Sequence, residues 1–225
     1  MASESLVIDS VNKSFDDKRV LRDIYLTIGQ GEIVGLLGRN GCGKSTLLKI
    51  IFGTLDAESK FIKEGGKIHD KMFESKNAVT YLPQDDFLPR RTKVKDIIAI
   101  CVDKNKIDDF CNDSIAQNIL STRAGNLSGG ELRYLEIKLL LYRDSRYALL
   151  DEPFNGASPK LAGEIKKLIV EHSSAKGIAL TDHDYRNVLS IATRIYLMRA
   201  GRISEARDNE DLARQGYLPD NGGQL

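Results

Sequence analysis

Short, nearly continuous apolar runs alternate along this chain with stretches whose apolar residues recur every three or four positions. Runs of the first kind read as buried strands and the second kind as amphipathic helices. Leu6-Val7-Ile8-Asp9-Ser10-Val11 and Ile24-Tyr25-Leu26-Thr27-Ile28 open the chain as two strands. Lys13-Ser14-Phe15, between them, reads as a polar loop exposing one aromatic ring. The turn Gly29-Gln30-Gly31 leads into a third run, Ile33-Val34-Gly35-Leu36-Leu37. Helical spacing follows in Leu47-Leu48-Lys49-Ile50-Ile51-Phe52.

Residues 53–77 are polar, with Phe61-Ile62 and Lys67-Ile68 suggesting a short, edge-like pairing. Ala78-Val79-Thr80-Tyr81-Leu82 is a strand stopped by Pro83. From about 85 to 127 the strand runs cease. Val94, Ile97, Ile98 and Cys101 have helical spacing, as do Ile115, Ile119 and Leu120, which predicts a small helical insert.

After it, Leu132, Leu135, Leu139 and Leu140 make one helical face, and Leu161, Ile165, Leu168 and Ile169 another. Arg146-Tyr147-Ala148-Leu149-Leu150 and Gly177-Ile178-Ala179-Leu180-Thr181 are buried strands. Arg194-Ile195-Tyr196-Leu197-Met198 and Gly201-Arg202-Ile203 form a closing hairpin. A polar tail over 208–225 holds a short helix at 209–215 and is expected to fray. The alternation predicts an α/β chain, one domain over 1–225, on a largely parallel, doubly wound sheet.

Composition changes this picture little. With 225 residues, 41% apolar and 29% charged, the chain is long enough for a real α/β core. A formal net charge of +1 gives no electrostatic reason to expect nucleic acid as the partner. The three cysteines, Cys42, Cys101 and Cys111, lack metal-ligand spacing and read as reduced thiols of a cytoplasmic protein. The N-terminal residues do not have the make-up of a signal peptide, and no apolar run approaches the ~20 residues of a membrane span.

The chemistry concentrates in a few places. Gly38-Arg39-Asn40-Gly41-Cys42-Gly43-Lys44-Ser45-Thr46 lies between a strand and a helix. In that context glycines let backbone N–H groups close on phosphate oxygens at the helix N-terminus. Lys44 reaches the outer phosphates of a nucleoside triphosphate, and the Ser45 hydroxyl holds Mg²⁺. Asp151-Glu152, ending an apolar strand, adds an Mg²⁺-side acid and a carboxylate able to polarise water. Leu127-Ser128-Gly129-Gly130-Glu131 opens a helix and offers further donors to an anion.

Together these motifs resemble the nucleotide-binding subunit of ATP-binding-cassette (ABC) transporters, from Phe15 to about Gly201. The resemblance implies a P-loop NTPase fold: a RecA-like, mainly parallel sheet with an antiparallel β subdomain and a short helical insert. It implies ATP and Mg²⁺ as ligands, with Phe15 stacking on adenine and residues 38–46 holding phosphates. Gln84 then senses Mg²⁺ beside Ser45 and Asp151, Glu152 is the catalytic carboxylate, and His183 of Thr181-Asp182-His183 contacts the γ-phosphate. Ser128, Gly129 and Gly130 bind the ATP of an opposite subunit, so a second cassette, in a homodimer, and a polytopic membrane subunit are the implied partners. The implied place is the inner face of the cytoplasmic membrane, as a peripheral cytoplasmic protein.

The motifs are most similar to those of lipopolysaccharide-export and branched-chain amino-acid cassettes. A soluble ABC-type ATPase acting on DNA or ribosomes is the alternative, though such proteins usually carry a tandem cassette, a coiled-coil insert or zinc cysteines. Two residues depart from the family pattern: Glu131 where Gln is commoner, and Ser158 where Asp usually links the two ATP sites. His69 and His172 match no motif and read as solvated. A charge at Ile97 or Ile98, if exposed, is expected to uncouple transport from ATP hydrolysis.

Overall fold

The computed structural model describes residues 5–218, so the first four residues and the end of the polar tail lie outside it. The chain opens with β1 (Ser5–Phe15) and β2 (Lys18–Gly29), antiparallel and closed where Phe15 faces Lys18. β3 (Ile33–Leu37) feeds α1 (Lys44–Phe52). β4 (Ser59–Glu64) returns to β1 and β5 (Lys67–Ile68) pairs with β4, completing an antiparallel sheet of order β2-β1-β4-β5. Next come β6 (Val79–Leu82) and the insert helices α2 (Val94–Cys101), α3 (Ile107–Phe110) and α4 (Ser114–Ile119).

The second half runs α5 (Gly129–Leu141), β7 (Tyr147–Asp151), α6 (Pro159–Ser173), β8 (Gly177–Thr181) and α7 (Tyr185–Leu189). It closes with β9 (Arg194–Arg199), β10 (Arg202–Ala206) and α8 (Asn209–Arg214). The second sheet has the order β10-β9-β3-β8-β7-β6, parallel throughout except for the β10 edge.

β3, β7 and β8 are buried at every position because both faces of this sheet are covered. On one face Val34, Leu36, Leu149 and Ala179 pack with Leu47, Ile50 and Ile51 of α1, which the antiparallel sheet covers in turn. On the other, Ile33, Leu37, Leu150 and Leu180 meet Ile137 of α5 and Ile165 and Ile169 of α6. The period of two along each strand sorts its residues between these cores. A third core joins Val94, Ile97, Ile98, Phe110 and Ile119 of the insert to Leu132, Leu135 and Leu139 of α5.

Several expectations need correction. Lys13-Ser14-Phe15 is the end of β1, not a loop, because pairing with β2 continues to Phe15, although the ring is exposed. α5 is buried nearly all round, Arg133, Glu136 and Lys138 included, because it lies between two cores. Ile97 and Ile98 are core residues, 3% and 2% exposed, so a charge there would damage the insert's core; the large apolar residue that α2 exposes is Ile100. The two histidines are not solvated. His69 Nδ1 lies 2.8 Å from Ser75 Oγ and Nε2 3.6 Å from Glu64. His172 packs on Tyr142 with ring centres 5.0 Å apart, and burial lowers its pKa.

Candidate functional site

The carboxyl ends of β3, β6, β7 and β8 lie on one edge of the parallel sheet, where open α/β sheets take ligands. A cleft of ≈ 720 Å³ opens there. Residues 15–18 and Val20 form one wall, Asn40, Gly41 and residues 43–46 the floor, and Gln84 and Glu152 the far wall. The size is that of a small-molecule site.

The floor fits a phosphate chain. Gly43 caps α1 with φ +113°, and no side chain caps the helix there, so its first N–H groups point at the cleft. A Cβ on Gly43 would come within 2.9 Å of Leu21, and one on Gly38 within 2.6 Å of the Met198 carbonyl. Glycine is therefore required at both positions. Lys44 is buried and its Nζ donates to the Gly38 carbonyl at 2.7 Å.

Asp151 is fully buried behind this floor and does not line the cleft. Ser45 Oγ donates to its Oδ1 at 3.0 Å, Thr181 Oγ1 to the same oxygen at 2.7 Å, and Tyr81 to Oδ2 at 3.3 Å. Burial, and then the neighbouring Asp151 charge, push the Tyr81 phenol up, so it stays a donor. Because Ser45 gives its proton to Asp151, its oxygen is free to act as an acceptor or a cation ligand. Gln84 Nε2 donates to Ser45 Oγ at 3.2 Å and to Glu152 Oε1 at 3.0 Å, joining the loop to the carboxylate. The oxygens of Ser45 and Gln84 would thus suit a hard cation. Asp151 acts through Ser45.

Glu152 holds φ at +51°, a left-handed conformation that costs a non-glycine residue about 1 kcal/mol. Its N–H donates to the Thr181 carbonyl and hydroxyl at 3.2 and 3.1 Å. Arg133 donates to its carbonyl at 3.0 Å. Thr181, Tyr81 and Arg133 are residues that sequence reasoning missed as parts of the site. Thr181 was legible only as the last residue of a strand beside the His183 motif.

Other expected site residues stand apart. His183 is exposed, 3.6 Å from Asp182, and does not line the cleft. Asp182 is buried, with Oδ2 unpaired among the described residues, and burial raises its pKa. Gly38 and Cys42 belong to the loop behind the floor.

Ser128 and Gly129 are exposed outside the cleft, and Gly130 packs against the loop at 156–157. The Ser128 hydroxyl is not a free donor: it gives its proton to Glu131 Oε2 at 2.7 Å in a capping box. Glu131 also suits the positive end of α5, which accounts for its standing where Gln is commoner. Ser158 is the N-cap of α6, accepting from Leu161 N–H at 3.3 Å with Pro159 following. Ser158→Ala should therefore cost about 1 kcal/mol of stability and Ser158→Asp almost none, read as melting temperatures.

A family model described as "ABC transporter" matches residues 21–155. The chain is 31% identical to the lipopolysaccharide export system ATP-binding protein LptB of Haemophilus influenzae, over 95% of this chain and 96% of that one. The LptB of Escherichia coli K12 is also 31% identical, over 88% of each chain. Among solved structures, an ATP-binding subunit of an ABC transporter superposes with a TM-score of 0.81 at 19% identity, covering 97% of this chain and 95% of that one.

Proposed function

We propose, from the premise that this chain belongs to the ABC transporter family and is an ATP-binding, ATP-hydrolysing subunit, that the cleft is its catalytic site and closes against a second copy. The observation that carries this reading is the bonded chain from loop to carboxylate: Asp151, Ser45, Gln84 and Glu152. It supports a reading in which the loop at 40–46 receives phosphates and Glu152, lining the same cleft, polarises water.

Residues 38–46 hold the phosphates, Lys44 takes up charge on the outer ones, and Phe15 stacks on adenine. Glu152 accepts a proton from water as its oxygen attacks the γ-phosphorus, and the bond to the departing ADP oxygen breaks. Ser45 and Gln84, with Asp151 behind them, would hold Mg²⁺, which would supply charge neutralisation. His183, exposed at the rim, contacts the γ-phosphate once the site is closed. Ser128 and Gly129, exposed outside their own cleft, and the backbone of Gly130 behind them meet the nucleotide of the second copy.

No helix among the described residues is long and apolar enough to cross a membrane. We assign the membrane-spanning part of the transporter to a partner subunit, and relatives named as ATP-binding proteins of a lipopolysaccharide export system make an exporter the model for it. Exposed Phe87 and Ile100, both in the segment that follows Gln84, suit docking to it. Co-purification from detergent-solubilised membranes tests the assignment. A polytopic protein should come down with the chain, and Ile100→Glu with Phe87→Glu should weaken its capture while ATP turnover of the free chain stays unchanged. Recovery of ribosomes or DNA instead would overturn it.

A further inference from the structure

We infer that Arg133 is a positioning residue for ATP hydrolysis: from α5 it clamps the strained Glu152 peptide and the Pro83-Gln84 segment in one geometry. This rests on the reading of Glu152 as the base. Arg133 is only 3% exposed, and the carboxylate it pairs with, Glu136, does not line the cleft. Its Nη1 donates to the Pro83 carbonyl at 2.7 Å, and its Nη2 to the carbonyls of Asp151 and of Glu152. One guanidinium therefore spans the residue before Gln84 and the peptide of Glu152. Those are the two side chains that meet at 3.0 Å across the cleft wall.

The clamp has a physical reason. Left-handed backbone at a Glu persists only where its surroundings over-determine it. Here Thr181 holds the N–H side and Arg133 the carbonyl side. Without the second hold, the Glu152 peptide can relax and carry its carboxylate off line. A misplacement of about 1 Å costs on the order of 10²-fold in rate.

Glu136, with its Oε2 3.4 Å from Nη1 and its Oε1 accepting from Phe87 N–H at 2.8 Å, aims the guanidinium. Burial lowers the Arg133 pKa and raises that of Glu136, and each is opposed by the other's charge. Removing the charge outright would strand Glu136, so the informative variant keeps it. Arg133→Lys retains the cation but replaces a fork by a point donor that cannot span Pro83 and Glu152 together. Since α5 also begins with Ser128-Gly129-Gly130, any shift of this helix reaches Glu152 through Arg133.

The test is a double-mutant cycle on the full chain with Mg·ATP in single-turnover kinetics. Arg133→Lys is expected to lower kcat at least tenfold with KM for ATP within twofold. In the Glu152→Gln background it should lower it no further, because there is no base left to aim. A raised KM with unchanged kcat, or an equal loss in both backgrounds, overturns the inference. Should Arg133→Lys not fold, Glu136→Gln carries the same cycle. That isosteric change keeps the Phe87 bond and should lower kcat at least threefold, again only where Glu152 is present; wild-type turnover overturns the inference. If Glu152→Gln alone turns over like wild type, the reading of Glu152 as base fails instead.

Discussion

Glu152→Gln is expected to bind ATP normally and to turn it over about 10²–10⁴-fold more slowly, the usual loss on removing a general base. The geometry makes the substitution clean. Gln keeps the side-chain oxygen that accepts from Gln84 at 3.0 Å, and the backbone holds from Thr181 and Arg133 do not involve the carboxylate. The phosphate floor and Asp151, tied to Ser45, are untouched. ATP that is bound but not hydrolysed then persists between the floor of one copy and Ser128-Gly129-Gly130 of the other. Each nucleotide adds contacts to both chains and favours the pair by mass action. Light scattering on a size-exclusion column with Mg·ATP should show a dimer for Glu152→Gln and mostly monomer for wild type. A monomeric Glu152→Gln that still binds ATP would count against either the base or the closure. Adding Ser158→Asp separates these, since recovery of the dimer implicates the missing charge at position 158.

Lys44→Ala should leave a folded chain whose ATP affinity falls roughly 10–10²-fold, the worth of one charge-assisted hydrogen bond. The ammonium is buried and donates to the Gly38 and Arg39 carbonyls at 2.7 and 3.4 Å, so it is held inside the loop that receives the phosphates. The fold should survive, because α1 is anchored by Leu47, Leu48, Ile50 and Ile51 and not by this side chain. Turnover falls further than affinity, since the same cation meets charge developing in the transition state. Calorimetric titration showing wild-type ATP affinity in a folded Lys44→Ala protein would refute the assignment of the floor.

The sequence carried the local features well. Gly177-Ile178-Ala179-Leu180-Thr181 is β8 to the residue, because a fully buried strand between Lys176 and an acidic end is marked on both sides. The glycine loop at 38–46 was legible for a similar reason. Its glycines, its lysine and the helix that follows are neighbours in the chain, and the φ values at Gly41 and Gly43 are local demands. Exposure was less legible. Helical spacing and residue type do not say which face another element will cover, so the condition on Ile97 and Ile98 and the surroundings of His69 and His172 are settled only by packing. Phe15 was placed in a loop because a strand's end depends on its partner, here β2.

By itself, then, the sequence determined the glycine loop between strand and helix, the acidic strand end, the succession of strands and helices along the chain, and the insert between them. The tertiary structure decided how these parts meet. With β8 lying between β3 and β7, Thr181 can bond Asp151 while Ser45 reaches the same oxygen from the loop after β3. With α5 held between two cores, Arg133 can reach across to Pro83 and Glu152, fifty and nineteen residues away in the chain. Such contacts are set by strand order and helix packing, which no local spacing records. A buried arginine in a helix reads, in sequence, as one more charged residue on a solvated face.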